Sequence, residues 1–117
     1  MHVVILWWEL AESDQTIGSL RRYLRDESVA AFAEVPGLRL KTWISDSDTD
    51  RWGAVLLWES REASLRPTPS RAAELIGYPP TTRHEFDVEA TVEGRFESAQ
   101  LALLGLAFAD ETGPERR

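Results

Sequence analysis

Lys41, Glu59 and His84 are the side chains of this sequence whose types and placement suit acid–base chemistry. Each adjoins a β-type or aromatic run: Lys41 within Leu38 to Ser45, Glu59 at the end of Trp52 to Glu59, and His84 entering Glu85 to Val92. A lysine ammonium donates to an oxyanion, a carboxylate accepts a proton, and an imidazole does either near neutral pH. Trp7, Trp43, Trp58 and Tyr78 offer walls for a flat apolar ligand, with Trp8 and Trp52 as further indoles. Every one of these has a plainer role beside it. Indoles also fill cores and interfaces, and a lone histidine at a strand mouth is also an ordinary solvated side chain. Lys41, Glu59, Glu9, Asp87 and Glu89 also make a set of charges that pair with one another between two packed sheets and touch no ligand.

Other chemistries lack their residues. There is no cysteine, which removes disulfides, thiolate metal sites and a cysteine nucleophile, and which suits a reducing cytoplasm. Asp46, Asp48 and Asp50 imitate the start of a calcium loop, but Arg51 stands where glycine is needed and Leu57 where a bidentate glutamate belongs. A solvated hairpin tip accounts for them. The sequence holds no Gly-rich phosphate loop, no Ser-His-Asp order and no histidine-rich cluster, so neither a metal nor a cofactor is expected. Twenty acidic residues against 13 basic ones leave a net charge of -7, which repels nucleic acid and anionic membranes.

The elements that must position these residues follow from periodicity. His2 to Leu10 is apolar almost throughout, as in a central strand, with Val4, Leu6 and Trp8 on one face and Val3, Ile5 and Trp7 on the other. It is too short to span a membrane, lacks a basic leader, and is expected to be retained. Ile17, Leu20, Leu24, Ala31 or Phe32, and Val35 recur at helical spacing after a cap at Ser13 or Asp14, with a break expected near Asp26 to Ser28. Leu38 to Ser45 and Trp52 to Glu59 form a hairpin around a polar connector. Ser60 caps a short helix stopped by Pro67; Thr68-Pro69 starts another, Ser70 to Ile76, closed by Gly77. Glu85 to Val92 alternates as a fourth strand, and Ser98 to Ala109 has the apolar spacing of a C-terminal helix.

Strand, helix, strand, strand, helix, strand is the ferredoxin-like α+β order, in one domain spanning 1–117 with a core at 2–93 and an extension at 94–117. If Phe86 and Val88 face the helices, alternation sends Trp7, Glu9, Lys41, Trp43, Val55, Leu57, Glu59, Asp87 and Glu89 to the opposite face. That face is too apolar to stay wet, so a homodimer with sheets packed together is expected.

Pro36-Gly37-Leu38 leading into Lys41 and Trp43, the Gly53-centred strand ending Trp58-Glu59-Ser60, and Phe86-Asp87-Val88 resemble the YdhR-like mono-oxygenase family of the dimeric α+β barrel superfamily, over Val3 to Glu93. The resemblance implies a cytoplasmic homodimer that oxygenates an aromatic or polyketide-like substrate without a bound cofactor. Such oxygenation needs a dry aromatic cavity, a base for a phenolic proton and donors to the oxyanion. The superfamily also includes heme-degrading enzymes, polyketide cyclases and ligand-binding domains. Two further readings follow: a cyclase or isomerase in which His84 or Glu59 shuttles a proton, and a non-catalytic ligand-binding or accessory dimer whose Leu101 to Phe108 segment docks a partner. The chain departs from the family in its many tryptophans, its Tyr78-Pro79-Pro80 loop and its apolar tail.

Overall fold

A computed structural model describes residues 1–95 and 104–109. Four strands, β1 (His2–Glu9), β2 (Leu38–Asp46), β3 (Arg51–Trp58) and β4 (Thr82–Asp87), form one antiparallel sheet in the order β2-β3-β1-β4. Between β1 and β2 run α1 (Ile17–Tyr23), a π-helical turn (Leu24–Ser28) and α2 (Val29–Phe32); between β3 and β4 lie α3 (Arg61–Ser64) and α4 (Ala72–Ile76). This is the ferredoxin-like arrangement.

Local chemistry explains where the helices begin. Thr16 caps α1 reciprocally: its hydroxyl accepts from the Ser19 amide at 3.0 Å, and the Ser19 hydroxyl accepts from the Thr16 amide at 2.8 Å. The expected cap at Ser13 or Asp14 is therefore displaced. Ser13 instead donates to the Ile76 carbonyl at 2.7 Å, tying the connector to α4. The expected break near Asp26 to Ser28 is a widening: the Val29 amide donates to the Leu24 carbonyl, five residues back. Four residues overshoot a 3.6-residue turn by about 40°. The wider turn cancels that drift and keeps Leu20, Leu24, Ser28 and Phe32 buried on one line. Ser60 caps α3 as expected, accepting from the Ala63 amide at 3.0 Å. The second helix starts later than Thr68-Pro69, because the Arg71 amide is taken by the Tyr23 hydroxyl at 2.8 Å and Ser70 holds the Ala72 amide at 3.1 Å. Gly77, with φ of 109°, closes α4.

Cross-strand partners share a face, so the register fixes what each side carries. On the helix side His2, Val4, Leu6 and Trp8 stand beside Trp58, Leu56, Ala54 and Trp52. Two expectations are corrected here. Lys41 and Trp43 pair with Leu56 and Ala54, so they face the helices. The cause is a register shift between Leu38 and Leu40, where an extra residue reverses the alternation of β2. Asp87 also lies on the helix side, opposite His2, whereas Phe86 lies beside Val3 on the far face and is 52% exposed. Phe86 there joins the other apolar residues of the far face, Val3, Ile5, Trp7, Val55, Leu57, Leu40 and Ile44.

β4 is also shorter and earlier than Glu85 to Val92. Its partner β1 starts at His2, opposite Asp87, so pairing ends with the Val88 amide donating to the Met1 carbonyl at 3.1 Å. His2, only 5% exposed, anchors that end through Nε2, 2.8 Å from Glu85 Oε1, with Nδ1 3.7 Å from Asp87. Of the expected C-terminal helix, residues 98–103 lie outside the described ones; Leu106–Phe108 forms a 3-10 turn whose Ala107 carbonyl accepts from Arg25 Nη1 at 3.1 Å. Among the described residues no helix is long and apolar enough to cross a membrane.

Gly53 sits on β3 where the Trp7 ring crosses it. A Cβ there would strike the Leu6 carbonyl oxygen and stand 2.9 Å from Trp7 Cε3. Gly53→Ala is expected to cost about 3 kcal/mol, the upper end for overpacking. That corresponds to a melting temperature lower by roughly 10–20 °C for a domain of this size, read by differential scanning calorimetry. An unchanged Tm would refute the close approach.

Candidate functional site

A cavity of about 310 Å³ lies between the sheet and the helices. Its floor is β1 (Val4, Leu6, Trp8), β3 (Trp52, Ala54, Leu56, Trp58) and β2 (Lys41, Trp43). Its helical wall is Tyr23, Leu24, Ser28 and Phe32, presented there by the π-helical turn. The end of α3 and the loop after it supply a polar margin of Ser64, Arg66, Thr68 and Ser70, and Arg83 enters from β4. Arg71 pins this loop: its guanidinium meets Glu27 at 2.9 Å and Glu74 at 3.2 Å.

Lys41 is the cation inside this aromatic enclosure. Its Nζ stands 3.4 Å from the centroid of Phe32 and 4.6 Å from that of Trp43, and those two rings meet edge to face at 5.9 Å. Among the described residues no carboxylate is within ion-pairing distance of it. Loss of water around the ammonium lowers its pKa from 10.5 to about 7. The two ring faces favour the ammonium and oppose that shift, but burial is the larger effect and the direction is downward. A lysine moved toward neutrality in this way can accept a proton and then hold the anion it has made.

The other candidates are not brought together with it. Glu59 is exposed beyond the end of β3, its amide donating to the Gly37 carbonyl at 2.9 Å. His84 is exposed on the far face opposite Ile5, stacked on Phe86 at 6.3 Å. Glu9, Asp87 and Glu89 are also exposed, so the expected buried charge network does not form around Lys41. Among the aromatics, Trp43 and Trp58 line the cavity, and Trp7 lies on the far face under Arg51, 4.9 Å from its ring centroid. Tyr78 lies behind the floor: its carbonyl accepts from Trp8 Nε1 at 2.8 Å and its hydroxyl donates to the Glu9 carbonyl. Tyr23, Ser28 and Arg83 are cavity residues that sequence reasoning missed. Only Ser28 left a signal, as the polar interruption of a helical stripe.

A four-stranded antiparallel sheet covered by helices on one side, with a cavity between the layers, defines a ferredoxin-like α+β protein. The chain superposes on a variant of SnoaB, a cofactor-independent oxygenase from Streptomyces nogalater, with a TM-score of 0.54 and 15% identity, covering 80% of this chain and 97% of that one. It superposes on the ActVA-Orf6 monooxygenase of Streptomyces coelicolor, in complex with nanaomycin D, with a TM-score of 0.57 and 18% identity over 80% and 92% of the two chains. A proposed antibiotic biosynthesis monooxygenase from Chloroflexus aurantiacus gives a TM-score of 0.53 and 19% identity over 80% and 98%. No protein-family model and no curated protein matches the chain.

Proposed function

We propose that this chain is a small homodimeric, cytoplasmic mono-oxygenase that uses no bound cofactor and acts on a phenolic aromatic or polyketide-like substrate. The observation that carries the reading is Lys41, a cation with a pKa near 7 enclosed by Phe32 and Trp43 in an apolar cavity. Two neighbours of the same fold, named as a cofactor-independent oxygenase and as a monooxygenase binding nanaomycin D, support it. The resemblance of the Pro36-Gly37-Leu38 and Trp58-Glu59-Ser60 segments to YdhR-like proteins points the same way.

The substrate ring lies between Trp43, Trp58 and the helical wall. Neutral Lys41 takes the phenolic proton, and the ammonium so formed pairs with the phenolate in a site that excludes water. The electron-rich ring carbon then reacts with dioxygen. For an anthrone-type substrate a methylene becomes a carbonyl: one oxygen atom stays in the product and the other leaves as water with the two methylene hydrogens. The far face of the sheet pairs with that of a second subunit and leaves this cavity intact in each.

Oxygen uptake with anthrone-type phenols and hydroquinones is expected to exceed that of a buffer blank. Uptake no faster than the blank across the panel would refute oxygenation, and product formed anaerobically would turn the assignment to a cyclase or isomerase.

A further inference from the structure

This acidic chain keeps its carboxylates away from its cavities. Acidic residues outnumber basic ones 20 to 13, yet among the described residues lining the 310 Å³ cavity are Lys41, Arg66 and Arg83 and no Asp or Glu. A second, more open space of about 730 Å³ runs along β2 between α1, the π-helical turn and the Leu104 to Phe108 segment. Its described lining holds Arg21, Arg39 and Lys41, again without an Asp or Glu. Arg83 is already neutralised by Glu85, whereas no described carboxylate lies within ion-pairing distance of Arg21 or Arg39.

The two spaces share a wall. Leu24, Phe32, Lys41, Trp43 and Trp52 wall both, so the cluster of Lys41 against Phe32 and Trp43 is the partition between them. Ligand sites for organic molecules range from about 300 to 1,000 Å³, which leaves the inner cavity room for a small ring system and little more. A substituted polycyclic molecule overflows it, and the groove across the partition is the space that adjoins it at Lys41.

We propose that the groove along β2 is an outer arm of the ligand site, in which Arg21 and Arg39 recognise a carboxylate carried by a polycyclic aromatic substrate whose reacting ring lies at Lys41. The inference rests on the oxygenase reading for what happens in the inner cavity, and on the groove itself for the carboxylate. A planar guanidinium matches a carboxylate with two parallel N–H donors, and a negative ligand finds there the positive field that the rest of this surface lacks. Because both arginines lie at the solvent edge, their contribution is a preference of about tenfold.

The test compares 9-anthracenecarboxylate with neutral 9-anthracenemethanol, titrated by energy transfer from the tryptophans at low ionic strength. The carboxylate is expected to bind about tenfold more tightly, and the Arg21→Gln/Arg39→Gln double variant to lose that preference with the affinity for the neutral probe and the melting temperature unchanged. Equal binding of the two probes, or a preference that survives the double substitution, overturns the proposal. A preference lost in Lys41→Met and kept in the double variant also overturns it, since the anion would then sit in the inner cavity. Failure of oxygen uptake with the arginine-dependent preference intact removes the oxygenase reading and leaves the anion site standing.

Discussion

Lys41→Met is expected to remove turnover and, at pH 6, to raise the melting temperature. The rate loss should be about 10²- to 10⁴-fold in kcat/KM, the contribution of a positioned general base. With the Lys41 pKa lowered to about 7 by burial, the wild-type rate rises as pH climbs toward 7 and levels above it, whereas the variant shows no such inflection. The stability effect has the opposite sign for the same reason. Below pH 7 Lys41 is charged in both folded and unfolded states, and the folded state carries the full cost of desolvating it. Between pH 7 and 10.5 the unfolded chain holds a proton that the folded one has released, so stability rises with pH through that window by up to a few kcal/mol. Methionine fills a similar volume without the charge. Melting curves of both proteins from pH 6 to pH 10 should therefore show the variant ahead at low pH and the gap closing above pH 7. A constant gap, or full activity in the variant, would remove Lys41 from the chemistry.

Val55→Lys is expected to split the proposed dimer. Val55 lies on central strand β3, between Ile5 of β1 and Thr42 of β2 on the far face. In a two-fold interface every substitution acts twice. Each copy loses about 1.5–3 kcal/mol of apolar burial and introduces a charge whose desolvation costs several kcal/mol more. Every 1.4 kcal/mol is tenfold in Kd, so the association should weaken by at least about 10³-fold. In the monomer the same lysine points to water, and circular dichroism should stay native. Sedimentation equilibrium at micromolar concentration reads the result. A wild-type monomer, or a variant dimer as tight as the wild type, would sink the face-to-face assembly.

What could be read along the chain was whatever depends on neighbours a few residues apart. The βαββαβ order, the hairpin tip at Asp46 to Arg51, the Ser60 cap and the Gly77 stop all rest on short-range periodicity and backbone preference, and the fold bears them out. Lys41 stood out because a cation was set between β-branched, aliphatic and aromatic residues. The bounds of β4 were not legible, because they follow from where β1 begins. Nor was the role of His2, whose partners Glu85 and Asp87 come from the other end of the domain.

The amino-acid order alone settled the succession of strands and helices from β1 to β4, because hydrogen-bonding period, caps and turn residues act locally. It left undecided which side of the sheet each strand turns to the helices. One extra residue between Leu38 and Leu40 reverses β2, and that residue shows only when β2 is laid against β3. The same shift carries Lys41 and Trp43 from the expected subunit interface into the cavity, while the π-helical turn brings Leu24 and Ser28 over them. Long-range packing made that choice, because alternation fixes the spacing of side chains along a strand and only contact between strands fixes their direction.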